Sequence, residues 1–159
     1  MIITLGFMPE TKVEAIAKTI ALNNGLKYYS MQTIDSELEG IQDNYSEKAR
    51  QVFLSKTKNK MAIICHPLAA WQLFNADAKI FLQSLKKNRA IRLSEKEKIP
   101  IGEAMQKIDL MQQEQSVSLL KNYGIDSLDL SVYDLVLNID KLDKDGITAI
   151  MEKFIEKRK

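Results

Sequence analysis

The sequence predicts an α/β fold, a parallel sheet flanked by helices, because short apolar runs alternate with stretches of helical periodicity and a glycine-to-lysine turn follows the first run. Four of these runs read as strands buried on both faces: Ile2 to Leu5, Met61 to Cys65, Lys79 to Gln83 and Tyr133 to Leu137. Leu26 to Tyr29 is a weaker fifth. Between the first two, Val13, Ile16, Ala17 and Ile20 recur at the spacing of a helix that lays one apolar stripe on a sheet. Residues 86–122 carry scattered apolar residues among charged and Gln residues, which predicts two amphipathic helices broken near Pro100 to Gly102. A final helix is expected from about Gly146 to Lys157, with Ile147, Ile150, Met151 and Phe154 facing inward.

The 159 residues, 45% apolar, fall within the usual range of one domain that buries a core without disulfides or structural metal, so residues 1–159 are read as a single unit. Twenty-three basic and 21 acidic residues are interspersed and sum to +2. That balance argues against a nucleic-acid surface or a polybasic membrane patch, and the basic tail Lys157, Arg158, Lys159 reads as a solvated helix end. The lone Cys65 cannot form an internal disulfide, which fits a reducing cytoplasm. Met1 to Met8 lacks a basic leader and runs into Pro9 and Glu10, so it reads as a strand rather than a signal peptide or a membrane span.

The turn after the first strand is Gly6-Phe7-Met8-Pro9-Glu10-Thr11-Lys12-Val13. A phosphate-binding loop of the form G-x-x-x-x-G-K-[ST] lets backbone N–H groups face phosphates while the lysine and a hydroxyl reach phosphate and magnesium. Gly6 and Lys12 stand at that spacing, but the second glycine is Thr11 and the metal-side hydroxyl is Val13. A β-branched residue disfavours positive φ, valine offers magnesium no oxygen, and Glu10 adds negative charge where a triphosphate would lie. ATP and magnesium are therefore expected to bind weakly, and a plain βα turn is the competing reading.

Tyr123-Gly124-Ile125-Asp126, followed by Asp129-Leu130-Ser131-Val132-Tyr133-Asp134-Leu135-Val136, resembles the closing segment of archaeal-type cytidylate kinases, in the nucleoside monophosphate kinase family. Pro67-Leu68-Ala69-Ala70-Trp71 and the following Asn75 to Leu82 look like a second segment of that family, so the similarity spans most of the chain in order. The resemblance implies a five-stranded parallel P-loop NTPase fold, a shortened monophosphate-binding arm at 31–60 and a helical lid at 86–122. It further implies transfer of a phosphoryl group from ATP to CMP or dCMP, a reaction that rests on positioning and charge neutralisation. Lys12, Arg89, Arg92 and Lys96 stand at its phosphate-handling positions, with Arg50 and His66 left on the monophosphate side. Several cations of the pattern are missing. His66 replaces an arginine after the third strand, and Met111 and Ser118 replace two lid arginines. Impaired catalysis is the expectation, with a non-enzymatic role in nucleotide or partner binding as the alternative.

Other patterns point to structure. His66 beside Cys65 has no identifiable catalytic or metal partner and reads as a strand-end pair. Lys141 to Gly146 with Glu152 mimics a calcium loop, but its first position is lysine, and Asp143 or Asp145 reads more simply as a helix N-cap. Trp71, Phe74 and Phe81 are expected in the core, and Asp134 beside the last strand is not needed as a base. Met105, Ile108, Met111 and Gln115 share helical spacing; they either pack inside the chain or form a lid face for a protein partner or a second copy.

Overall fold

The structure is a computed structural model, and it describes residues 1–158. Five strands, β1 (Ile2–Phe7), β2 (Lys27–Tyr29), β3 (Ala62–Cys65), β4 (Ala78–Gln83) and β5 (Leu135–Asn138), form one sheet in the order β2-β3-β1-β4-β5, all parallel. Parallel neighbours require helical crossovers. These are α1 (Glu14–Asn24), α2 (Met31–Leu38), α3 (Tyr45–Lys56), the single turn α4 (Ala69–Gln72), α5 (Lys86–Glu97) and α6 (Ile101–Tyr123), with α7 (Lys144–Glu156) closing the chain.

Strand residues alternate between two cores, as the two-residue period of a strand demands. Ile3, Leu5, Ile63 and Cys65 pack with Ile16 and Ile20 of α1 and Met151 and Ile155 of α7. Ala62 and Ile64 face the other way and meet Ile34, Phe53, Leu68 and Leu119. Burial in the first core pushes the Cys65 thiol well above its ordinary value, so it stays protonated. A third, smaller cluster of Ala90, Leu93, Ala104 and Ile108 zips α5 to α6, with Met105 and Met111 packed on it. The apolar stripe of α6 is therefore satisfied inside the chain.

The last strand departs from expectation. It begins at Leu135 rather than Tyr133, lies at the sheet edge and alternates between half-buried and exposed, Val136 being 41% exposed. Asp134 ends the approach instead: its backbone N–H donates to Lys79 O (2.7 Å) and its carboxylate accepts the Lys79 N–H (2.9 Å). That frees Tyr133 to turn inward against Phe81, ring centroids 5.0 Å apart. Of the aromatic residues expected in the core, Phe81 is buried, Trp71 half-buried and Phe74 61% exposed. Helix α7 starts two residues earlier than its apolar period suggests, because Asp143 accepts the Gly146 N–H (2.7 Å) and caps it. No helix of the described residues is long and apolar enough to cross a membrane, and among them no group of His, Cys, Asp and Glu could hold a metal ion. Lys159 lies outside the described residues.

Candidate functional site

The carboxyl ends of β1, β3 and β4 open onto the turn from Met8 to Thr11, where a doubly wound sheet places its ligands. The turn is closed by the Thr11 N–H donating to Met8 O at 3.2 Å. Proline suits the second position of such a turn, and the third position, Glu10, takes φ +60°, a conformation usually left to glycine or asparagine. Two amide donors are thereby lost to any anion: Pro9 has no N–H, and that of Thr11 is engaged. The Thr11 hydroxyl is buried without a protein partner. Lys12 is exposed and has no ion-pair partner among the described residues.

Helix α5 supplies the other cations, and two of them grip the turn itself. Arg89, only 2% exposed, donates from Nη1 to Pro9 O (3.0 Å), from Nε to Ser84 O (3.1 Å) and from Nη2 to Gln112 Oε1 (3.0 Å). Burial, with Arg92 beside it, pulls its guanidinium below the ordinary value. Arg92 donates from Nε to Glu10 O (3.1 Å) and from Nη2 to Ser84 Oγ (2.6 Å). Lys96 pairs with the Glu10 carboxylate at 3.3 Å. Lys12, Arg92 and Lys96, with Glu10, Thr11 and Glu95, line an open cleft of about 490 Å³ beside the turn. Lys12, Arg92 and Lys96 thus converge on one space, while Arg89 lies behind it as a clamp on the turn.

On the other side of Glu10 lies a larger cleft of about 670 Å³, walled by α2, the start of α3, the end of β3 and α6. His66 stands in its floor, where Nδ1 accepts the Leu68 N–H (3.0 Å) and Nε2 faces Asp35 Oδ1 (3.0 Å). The backbone donor at Nδ1 places the proton of a neutral ring on Nε2. Met111 and Ser118 both line this cleft. Among the described residues its lining contains no lysine or arginine, but it holds Glu10, Asp35, Glu39 and Glu114. Arg50 is not part of it; its guanidinium covers the Phe74 ring at 5.2 Å. Asp35, Glu39, Tyr45 and Tyr123 carry no spacing that marks them as cleft residues, and only the count back from Tyr123 could have found the α6 wall.

Val13, 7% exposed, packs into the α1 and α7 core and offers no oxygen, so the residues at the usual metal position do not fit magnesium.

A parallel five-stranded sheet with a turn between β1 and α1 and an arginine-bearing helix beside it defines a P-loop kinase fold. Solved structures agree: shikimate kinase from Bacteroides thetaiotaomicron superposes with a TM-score of 0.66 at 11% identity, covering 98% of each chain, and an uncharacterised protein from Eubacterium ventriosum with 0.81 at 19% identity, covering 99% of this chain and 98% of its own. The chain belongs to the cytidylate kinase-like family, whose model matches residues 6–141. It is 32% identical to the cytidylate kinase of Sulfurisphaera tokodaii over 98% of this chain and 95% of that one, and 31% identical to that of Pyrococcus horikoshii over 98% and 88%.

Proposed function

We propose that this cytidylate kinase-like protein is severely impaired in transferring a phosphoryl group from Mg-ATP to CMP or dCMP. The observation that carries this reading is the α2–α6 cleft, whose lining offers a monophosphate dianion four carboxylates and no lysine or arginine. One arginine finger or oxyanion-type donor contributes roughly two to five decades in rate, so losing several together leaves little turnover. The loop adds to the deficit through the engaged Thr11 amide and the buried Val13 side chain. A coupled ADP-release assay at high protein concentration tests it, with the Sulfurisphaera enzyme run alongside. CMP-dependent turnover should lie at least about a thousandfold below the reference. Comparable turnover by the folded chain overturns the reading.

A second reading, retained nucleotide binding without catalysis, is favoured by Lys12, Arg92 and Lys96 still lining the 490 Å³ cleft. Thermal shift with ATP in EDTA and in magnesium tests it: cations alone would hold phosphates without the metal, so stabilisation by ATP should persist in EDTA.

A further inference from the structure

The three cations that line the cleft beside the turn differ in what already holds them. Arg92 is committed to the protein: it donates to Glu10 O and to Ser84 Oγ and stands 4.0 Å from Asp140. Lys12 has no ion-pair partner among the described residues, and Lys96 has one, the Glu10 carboxylate at 3.3 Å. The two ends of that pair are unequally placed. The Lys96 side chain is 67% exposed and that of Glu10 only 18%, so the carboxylate is the sheltered member. Its backbone is fixed as well, because Arg92 holds the carbonyl of a residue whose φ of +60° side-chain-bearing residues rarely adopt. A carboxylate and a phosphate oxygen recruit the same ammonium donors through the same charge-assisted bond. Glu10 therefore does more than add negative charge near the turn: it takes the one α5 cation that has no other partner among the described residues.

We propose that the Glu10 side chain is the resident anion of this cleft, an autoinhibitory contact that satisfies Lys96 from within the chain, so that a phosphate chain binds only by displacing it. The proposal rests on the reading that Lys12, Arg92 and Lys96 still form an anion site, and it adds what keeps that site closed. No covalent step is involved.

The test titrates inorganic tripolyphosphate calorimetrically into the full chain in EDTA at low salt. Glu10→Gln keeps the backbone carbonyl that Arg92 holds and removes the charge that holds Lys96. It should bind tripolyphosphate at least about tenfold more tightly than the parent. Glu95→Gln removes an equal charge from the lining of the same cleft without touching an ion pair, and should change affinity by less than about threefold. In a double-mutant cycle, Lys96→Gln should abolish the gain made by Glu10→Gln. Urea midpoints confirm that all variants fold. Equal binding by the parent and Glu10→Gln overturns the proposal and leaves the anion-site reading standing. A gain from Glu95→Gln as large as that from Glu10→Gln, or one that survives Lys96→Gln, reduces Glu10 to a bystander charge and also overturns it. No binding by any variant defeats both.

Discussion

At Gly6 a Cβ built on the backbone would meet Tyr133 Oη at 2.1 Å, Cζ at 2.6 Å and Cε1 at 2.7 Å. The φ of Gly6 is not positive, so this glycine serves close approach of a ring rather than the backbone freedom of a phosphate loop. Tyr133 is held there by Phe81 and by its hydroxyl near Pro67 O (3.4 Å), and burial pushes that hydroxyl above its ordinary value. Gly6→Ala should therefore destabilise the chain by about 1–3 kcal/mol in urea unfolding, the usual cost of overpacking. Tyr133→Phe should not rescue it, because the ring carbons remain too close, whereas Tyr133→Leu should recover part of the loss in a double-mutant cycle. Additive effects would show that the two residues are not coupled. In the sequence Gly6 reads as a motif glycine. Its actual constraint comes from a residue 127 positions away, which no local spacing reports.

The junction of β4, α5 and β5 is an element-scale device that holds the turn in place. Asp140 accepts the Leu85 N–H (2.6 Å) and the Ser84 hydroxyl (2.7 Å), and Arg92 Nη1 stands 4.0 Å away. Burial alone would raise this carboxyl, but those donors, with the Asn88 side chain and the Arg92 charge, outweigh it and hold the group below the ordinary carboxylate range. A depressed carboxyl adds stability above its unfolded value, near pH 4, and that stability is lost as pH falls through the lower folded value. The urea midpoint should therefore drop on acidification below about pH 4. Asp140→Asn should be less stable than the parent at pH 7 and should flatten that acid limb; an unchanged limb would mean that other carboxylates carry it. The strands and the break between α5 and α6 were legible, because apolar runs and Pro100 are local signals. The start of β5 was not, since Asp134 bonds both backbone groups of Lys79, 55 residues earlier, and so pulls Tyr133 out of the strand. The α6 stripe of Met105, Ile108 and Met111 left two partners open, and contact with α5 took it.

Across the whole molecule, the two clefts meet at Glu10, which lines both, and their charges have separated: cations gather on the α5 side and carboxylates on the α2–α6 side. The resemblance to cytidylate kinases pointed to Met111 and Ser118, but not to the carboxylates that line the same cleft, because Asp35, Glu39 and Glu114 belong to no motif and come from separate parts of the chain. If charge is what turns this cleft away from phosphate, a small reversal on its exposed wall should change its ligand without changing its shape. Ser118→Arg combined with Glu114→Gln places one cation and removes one anion on the solvent-facing side of α6, where neither residue is buried. A charge-assisted hydrogen bond contributes about 1.5–3 kcal/mol, so CMP affinity should rise by roughly tenfold or more. Calorimetry against the parent chain reads the change. Turnover in the same variant should stay close to that of the parent chain, because the Thr11 amide still serves Met8 and Val13 still faces the core, so acceptor binding can change without changing the donor site. A variant that binds CMP no better would mean that the shape of the cleft, rather than its charge, excludes the nucleotide.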